Sequence, residues 1–202
     1  MSGGGEQAPE GGGAPAPRAA GGGEAAGVQI AFGGEGFEDE LTAIINAAYD
    51  AGEAGIWQAG WTRAGLANIG YYLEHRELVV AWLDGRPVGC VRVTRLEDGA
   101  GMFGMLSVSP EAGGQGVGRK LIAFAEAQFP DAEEMELELL VPRGAPHPAK
   151  VRLHEWYSRL GYVQTGRRDF AHPELVAPAD LWVYRKNLRA TPATPAPDRA
   201  PT

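Results

Sequence analysis

Four glycines in six residues separate a β-patterned run from an amphipathic one: positions 105–124 read MLSVSPEAGGQGVGRKLIAF. The order is a strand, a curled turn and the start of a helix. Gly113, Gly114, Gly116 and Gly118 lack a Cβ, so their amides can approach an anion closely and take φ > 0 where the turn requires it. The orphan N–H groups of the helix that follows point at the same spot, and the positive end of its dipole favours an anion by roughly 0.3–1 kcal/mol. A diphosphate fits such a place. A Walker A loop is excluded, because Gly118 is followed by Arg119, Lys120 and Leu121 rather than by Lys and a hydroxyl residue. A Rossmann fingerprint is excluded too, since pairing Gly114 with Gly116 would require glycine where Arg119 stands. Taken alone, the run also fits an ordinary strand-to-helix turn.

The chain has 202 residues, of which 1–27 and 190–202 are rich in Gly, Pro, Ala and Thr. Neither stretch can bury enough apolar surface to offset the entropy of ordering it, and both are expected to be disordered tails. Residues 28–189 suit one domain with a single core. A formal net charge of −8 argues against non-specific nucleic-acid or anionic-membrane binding, so any anion site must be local. No segment approaches the length of a membrane span, and no secretory signal is expected. The single cysteine, Cys90, rules out an internal disulfide and suits a reducing cytoplasm.

Hydrophobic periodicity predicts a strand at 28–32, helices at 38–51 and 63–75, and a hairpin of 78–83 and 86–96 turning on Asp84-Gly85. A strand at 104–108 and a helix at 116–129 stopped by Pro130 follow. Then come a strand at 134–141, a helix at 148–160 with proline in its first turn, and strands at 162–166 and 181–187.

The glycine run resembles the acetyl-coenzyme A loop of the GCN5-related N-acetyltransferases (GNAT), with Gly116 and Gly118 on its glycine positions. A second block, LHEWYSRLGY at 153–162, is similar to the helix end of the same family. Trp156, Tyr157, Leu160, Gly161 and Tyr162 hold its aromatic, tyrosine, leucine, glycine and aromatic places. The resemblance implies an α/β fold with a mixed, mostly antiparallel central sheet flanked by helices and opened by a splayed strand pair. It implies acetyl-CoA as co-substrate, held by the amides of Leu106, Ser107 and Val108, by Gly113, Gly114, Gln115, Gly116, Val117 and Gly118, and by Arg119, Lys120 and Tyr157. Gly113 stands where relatives carry Arg or Gln, and Arg119 and Lys120 can replace that charge.

In the roles so implied, the Leu106 amide stabilises the tetrahedral oxyanion and Tyr157 protonates the departing sulfur. A phenol near pKa ~10 and a thiol near ~8.5 make that transfer nearly balanced. A surface tyrosine on an amphipathic helix is the plainer alternative. Lys150 stands seven residues before Tyr157, where relatives often have Asn, and is expected to meet the phosphates. The glutamate that some relatives use as a base is absent at Met102, leaving Glu136, Glu138, His154, His147 or a water chain. Trp57 and Trp61, with Glu138 and His154, are the candidate acceptor-binding residues. The histidine spacing suggests no metal.

The sequence thus predicts a cytoplasmic acetyl-CoA-dependent N-acetyltransferase for a small-molecule primary amine, with a homodimer as one possible assembly. The competing reading is a degenerate coenzyme A-binding sensor or interaction module.

Overall fold

The computed structural model describes residues 27–189; the tails expected at 1–26 and 190–202 lie outside the described residues. The chain runs β1 (Gln29–Phe32), α1 (Glu38–Gly52), α2 (Leu66–Glu74), β2 (Leu78–Leu83), β3 (Arg86–Arg95) and β4 (Gly101–Val108). After a 3-10 turn at Pro110–Ala112 come α3 (Val117–Ala127), β5 (Glu134–Pro142), α4 (Pro148–Arg159), β6 (Val163–Phe170) and β7 (Ala179–Asn187). The predicted hairpin is present: Asp84 and Gly85 take φ of 50° and 75°, the left-handed pair that a tight turn between twisted strands needs. Helix α2 begins later than its hydrophobic pattern suggests, because Gly65 is extended and acts as N-cap. Strand β4 begins at Gly101, and β6 continues to Phe170 on its ladder with β7.

One seven-stranded sheet in the order β1-β2-β3-β4-β5-β7-β6 organises the molecule, and only the β4–β5 contact is parallel. This is the mixed, mostly antiparallel architecture the sequence implies. One face packs Val91, Phe103, Met135 and Leu137 against Leu121 and Ala125 of α3 and Tyr157 of α4. The other packs Leu78, Val80, Cys90 and Met105 against Leu41 and Ile45 of α1 and Ile69 of α2.

Two features of β4 make room for a site. The first is its parallel ladder to β5, which pairs Gly101, Met102 and Phe103 with Met135, Glu136 and Leu137 and then stops. Beyond that point β5 stays with β7 as far as Pro142, while β4 stays with β3 as far as Val108, so the sheet opens between them. The second is a bulge. Cys90 pairs with Ser107 and Arg92 with Gly104, leaving Met105 and Leu106 opposite Val91 alone, and Met105 takes φ = 51°. An extra residue inverts which side chains face which side. Phe103 therefore points to the α3–α4 face, and Met105 to the α1–α2 face, although they are two residues apart. Leu106 and Val108 return to the α3–α4 side.

Candidate active site

Helix α3 starts without a side-chain cap. Its N-cap is Gly116 at φ = 74°, preceded by Gly114 at φ = 75°, and a Cβ on either would meet nothing within 4 Å. Space does not demand glycine there; the left-handed backbone does. The capping site is left open, and the first-turn amides face outward at the positive helix end. Val117 is buried and offers only its amide, whereas Arg119 and Lys120 are exposed and form no ion pair among the described residues. Gly118 has a packing role as well, since a Cβ there would lie 3.4 Å from the Trp156 indole of α4. Its absence lets α3 and α4 approach on the two sides of the opening.

Within β4 the direction of the amides follows from one bond: Ser109 N–H donates to Val88 O of β3 at 2.9 Å. Alternation then turns the Ser107 amide toward β3 and those of Leu106 and Val108 toward the opening. Only two of the three expected β4 amides therefore face the slot. The Ser107 hydroxyl is buried and donates to Met105 O at 3.2 Å, tying the bulge to the strand that follows.

The opening leads to a cavity of about 240 Å³ lined by Leu106 of β4, Glu138 of β5, Glu53 and Arg63 around the end of α1, and Lys150 and Tyr157 of α4. Gly161, at φ = 91°, ends α4, with its amide donating to Ser158 O and that of Tyr162 to Tyr157 O. This terminus fixes the last turn, and with it Tyr157. The Tyr157 ring is buried among Phe103, Tyr162 and Tyr184, and its hydroxyl has no hydrogen-bond partner among the described residues. Burial pushes its pKa well above the ordinary phenol value, so the group holds its proton at neutral pH. Glu138 is half-buried and bridged to Arg168. Burial lifts its pKa, Arg168 opposes that lift, and nearby Glu136 adds to it.

Residues 74–164, from the end of α2 through the glycine loop and α4 into β6, match the family model described as the acetyltransferase (GNAT) domain. The chain carries a GNAT acetyltransferase domain. No curated protein sequence matches the chain. Among solved structures, the ribosomal-protein-alanine N-acetyltransferase from Brucella melitensis is similar, with 23% identity, a TM-score of 0.59, and coverage of 79% of this chain and 99% of that one. The protein yncA from Salmonella typhimurium, solved with its cofactor acetyl-CoA, is 15% identical, with a TM-score of 0.61 over 85% of this chain and 99% of that one. The ribosomal-protein-S18-alanine N-acetyltransferase from Escherichia coli is 12% identical, with a TM-score of 0.60 over 83% and 97%. The protein is thus an acetyl-CoA-dependent N-acetyltransferase with acetyl-CoA as its acyl donor.

Four expected residues take other places. Lys150 does not serve the phosphate loop. It is buried at the opposite end of α4 from Trp156, with Nζ 2.7 Å from Glu53 Oε1, and it lines the cavity beside Glu53. His154 points away from the cavity, because its place on α4 turns Nδ1 to the Tyr184 hydroxyl at 2.8 Å. It faces a second groove of about 640 Å³, formed by α4, residues 142–147, Trp182 and Arg167. That groove is the larger, but it contains neither Tyr157 nor Leu106, both of which line the smaller one. Trp57 and Trp61 stack at 3.8 Å without lining the cavity. Trp57 instead donates its indole N–H to Glu53 Oε2 and positions that carboxylate.

Glu53, Arg63 and Tyr49 are the site residues that sequence reasoning missed. The i, i+4 spacing of Tyr49 and Glu53 at the end of an amphipathic helix was their only local signal. Among the described residues, no helix of the GNAT domain is long and apolar enough to cross a membrane.

Proposed function

We propose that this N-acetyltransferase moves acetyl to the primary amine of a small molecule by direct attack, with Tyr157 as general acid. The observation that carries the reading is the convergence of the slot-facing Leu106 amide and the unpartnered Tyr157 hydroxyl on one small cavity at the strand opening. The amine nitrogen attacks the acetyl carbon, and the oxyanion that forms accepts from the Leu106 amide. As the C–S bond breaks, the sulfur takes the Tyr157 proton. The phenolate, disfavoured by its burial, then regains a proton from the nitrogen, which becomes the neutral amide. Glu138 is the cavity carboxylate closest in character to a base, since burial raises its proton affinity.

The size of the cavity supports a small acceptor: about 240 Å³ lies below the ~300–1,000 Å³ usual for small-ligand pockets. Two similar structures are ribosomal-protein-alanine N-acetyltransferases, which makes a protein α-amine the reading to compare against. Thiol release from acetyl-CoA is to be followed with small amines and with peptides bearing free N-termini. Turnover of the amines and not of the peptides is the expected result, and the reverse preference overturns the reading.

A further inference from the structure

The charged groups around the cavity are matched with one exception. Glu53 is bonded to Lys150, and Glu138 to Arg168. A smaller pocket adjoins the cavity and shares Arg63, Met102, Gly104 and Met105 with it; its other charged residue, Arg92, is bonded to Glu77 at 2.7 Å. Arg63 lines both and has no carboxylate partner among the described residues. The site therefore carries a single uncompensated charge, and it is cationic, although the chain as a whole is acidic.

Arg63 is also held in place. Its guanidinium carbon lies 4.7 Å from the centre of the Tyr49 ring, a stacking geometry that orients the planar fork. The adjacent residue, Ala64, is clamped to α1 by a single side chain: Asn46 Nδ2 donates to Ala64 O at 3.0 Å, and Ala64 N–H donates to Asn46 Oδ1 at 2.9 Å. Ala64 itself is buried. Arg63 is exposed where it lines the cavity, and a fixed fork of donors there recognises a planar carboxylate with little further ordering.

We infer that the acceptor of this enzyme is an amino acid, whose carboxylate is received by Arg63 while its amine stands at the thioester beside Tyr157. The inference rests on the small-amine reading given above. The small cavity requires the anionic and amine groups to belong to one compact molecule, a condition that a peptide N-terminus does not meet.

The experiment compares matched pairs: L-leucine with isoamylamine, and L-tryptophan with tryptamine, in wild type, R63Q and R63K. A charge-assisted bidentate contact corresponds to about a tenfold to hundredfold effect. Wild type is expected to favour the amino acid of each pair by that factor in kcat/KM. R63Q is expected to bring the ratio near one, chiefly through KM, and R63K to restore part of it. A wild-type preference for the decarboxylated amines, or a ratio unmoved in R63Q, overturns the inference.

Turnover of no small amine of either kind would instead overturn the small-amine reading. The inference is then decided separately by calorimetry of the protein–CoA complex with N-acetyl-L-leucine and with N-isoamylacetamide. Equal binding of the two, or no effect of R63Q on the difference, refutes a carboxylate site. Circular dichroism of R63Q confirms that the variant is folded.

Discussion

Lys150 Nζ lies 2.7 Å from Glu53 Oε1, and only 5% of each side chain meets solvent. The pair clasps the start of α4 to the end of α1 across the acceptor cavity, and His147 reinforces it through Nε2 on Ala54 O at 3.1 Å. Removing one member of a buried pair strands the charge of the other, so E53A is expected to lose about 3–5 kcal/mol of stability in urea unfolding. The double variant E53L/K150M is expected to recover most of that loss. Burial holds the Lys150 pKa below its ordinary 10.5, outweighing the attraction of Glu53. Between the lowered value and 10.5 the unfolded chain binds this proton more than the folded one, so the Lys150 contribution to stability rises with pH. The urea midpoint of wild type relative to K150M, followed from neutral to alkaline pH, is expected to move in favour of wild type.

Tyr157→Phe removes one hydroxyl that bonds no described protein group, so folding and coenzyme A affinity are expected to change little. Turnover is expected to fall by about 10²–10⁴, the usual contribution of a positioned acid. Because burial lifts the phenol pKa, kcat is expected to show no loss from Tyr157 ionisation at pH values where an ordinary tyrosine titrates. Unchanged kcat in the Phe variant at saturating acetyl-CoA removes Tyr157 from the mechanism.

Gly114 and Gly116 both hold left-handed backbone in the loop before α3. G116A is expected to cost about 1–2 kcal/mol of strain and to weaken coenzyme A binding at least tenfold in calorimetry, as relief of the strain turns the first amides away. The paired variant R119A/K120A is expected to leave the loop intact and to flatten the salt dependence of coenzyme A affinity, since both side chains are exposed.

Cys90 is buried in β3, and desolvation pushes its pKa up to about 12. The native thiol is expected to resist disulfide reagents at pH 8 and to react fully once the chain is unfolded, at a stoichiometry of one. Stopped-flow labelling with and without denaturant checks this. It also means that released coenzyme A can be titrated by the same reagents without a background from the enzyme.

The elements legible in the sequence are those written in contiguous residues. The left-handed glycines before α3 and the Gly161 terminus after Tyr157 are local backbone demands, so the loop and the helix end on the two sides of the strand opening could be read directly. The acceptor site could not. Lys150 looks like a free cation at a helix start until the fold brings it to Glu53, 97 residues away. Arg63 stands out only because every other charge around it finds a partner, which no linear pattern records. The bulge at Met105 had no signal either, since nothing in a methionine announces φ = 51°.

Only three residue pairs, Gly101–Met135, Met102–Glu136 and Phe103–Leu137, join β4 to β5. Mechanically, the sheet is two panels on a short hinge, β1 to β4 on one side and β5, β7 and β6 on the other. A pantetheine arm lying in the gap would span both panels as a missing strand would. On that arrangement each catalytic cycle would begin with the substrate bracing the architecture that cleaves it, and end with the brace withdrawn.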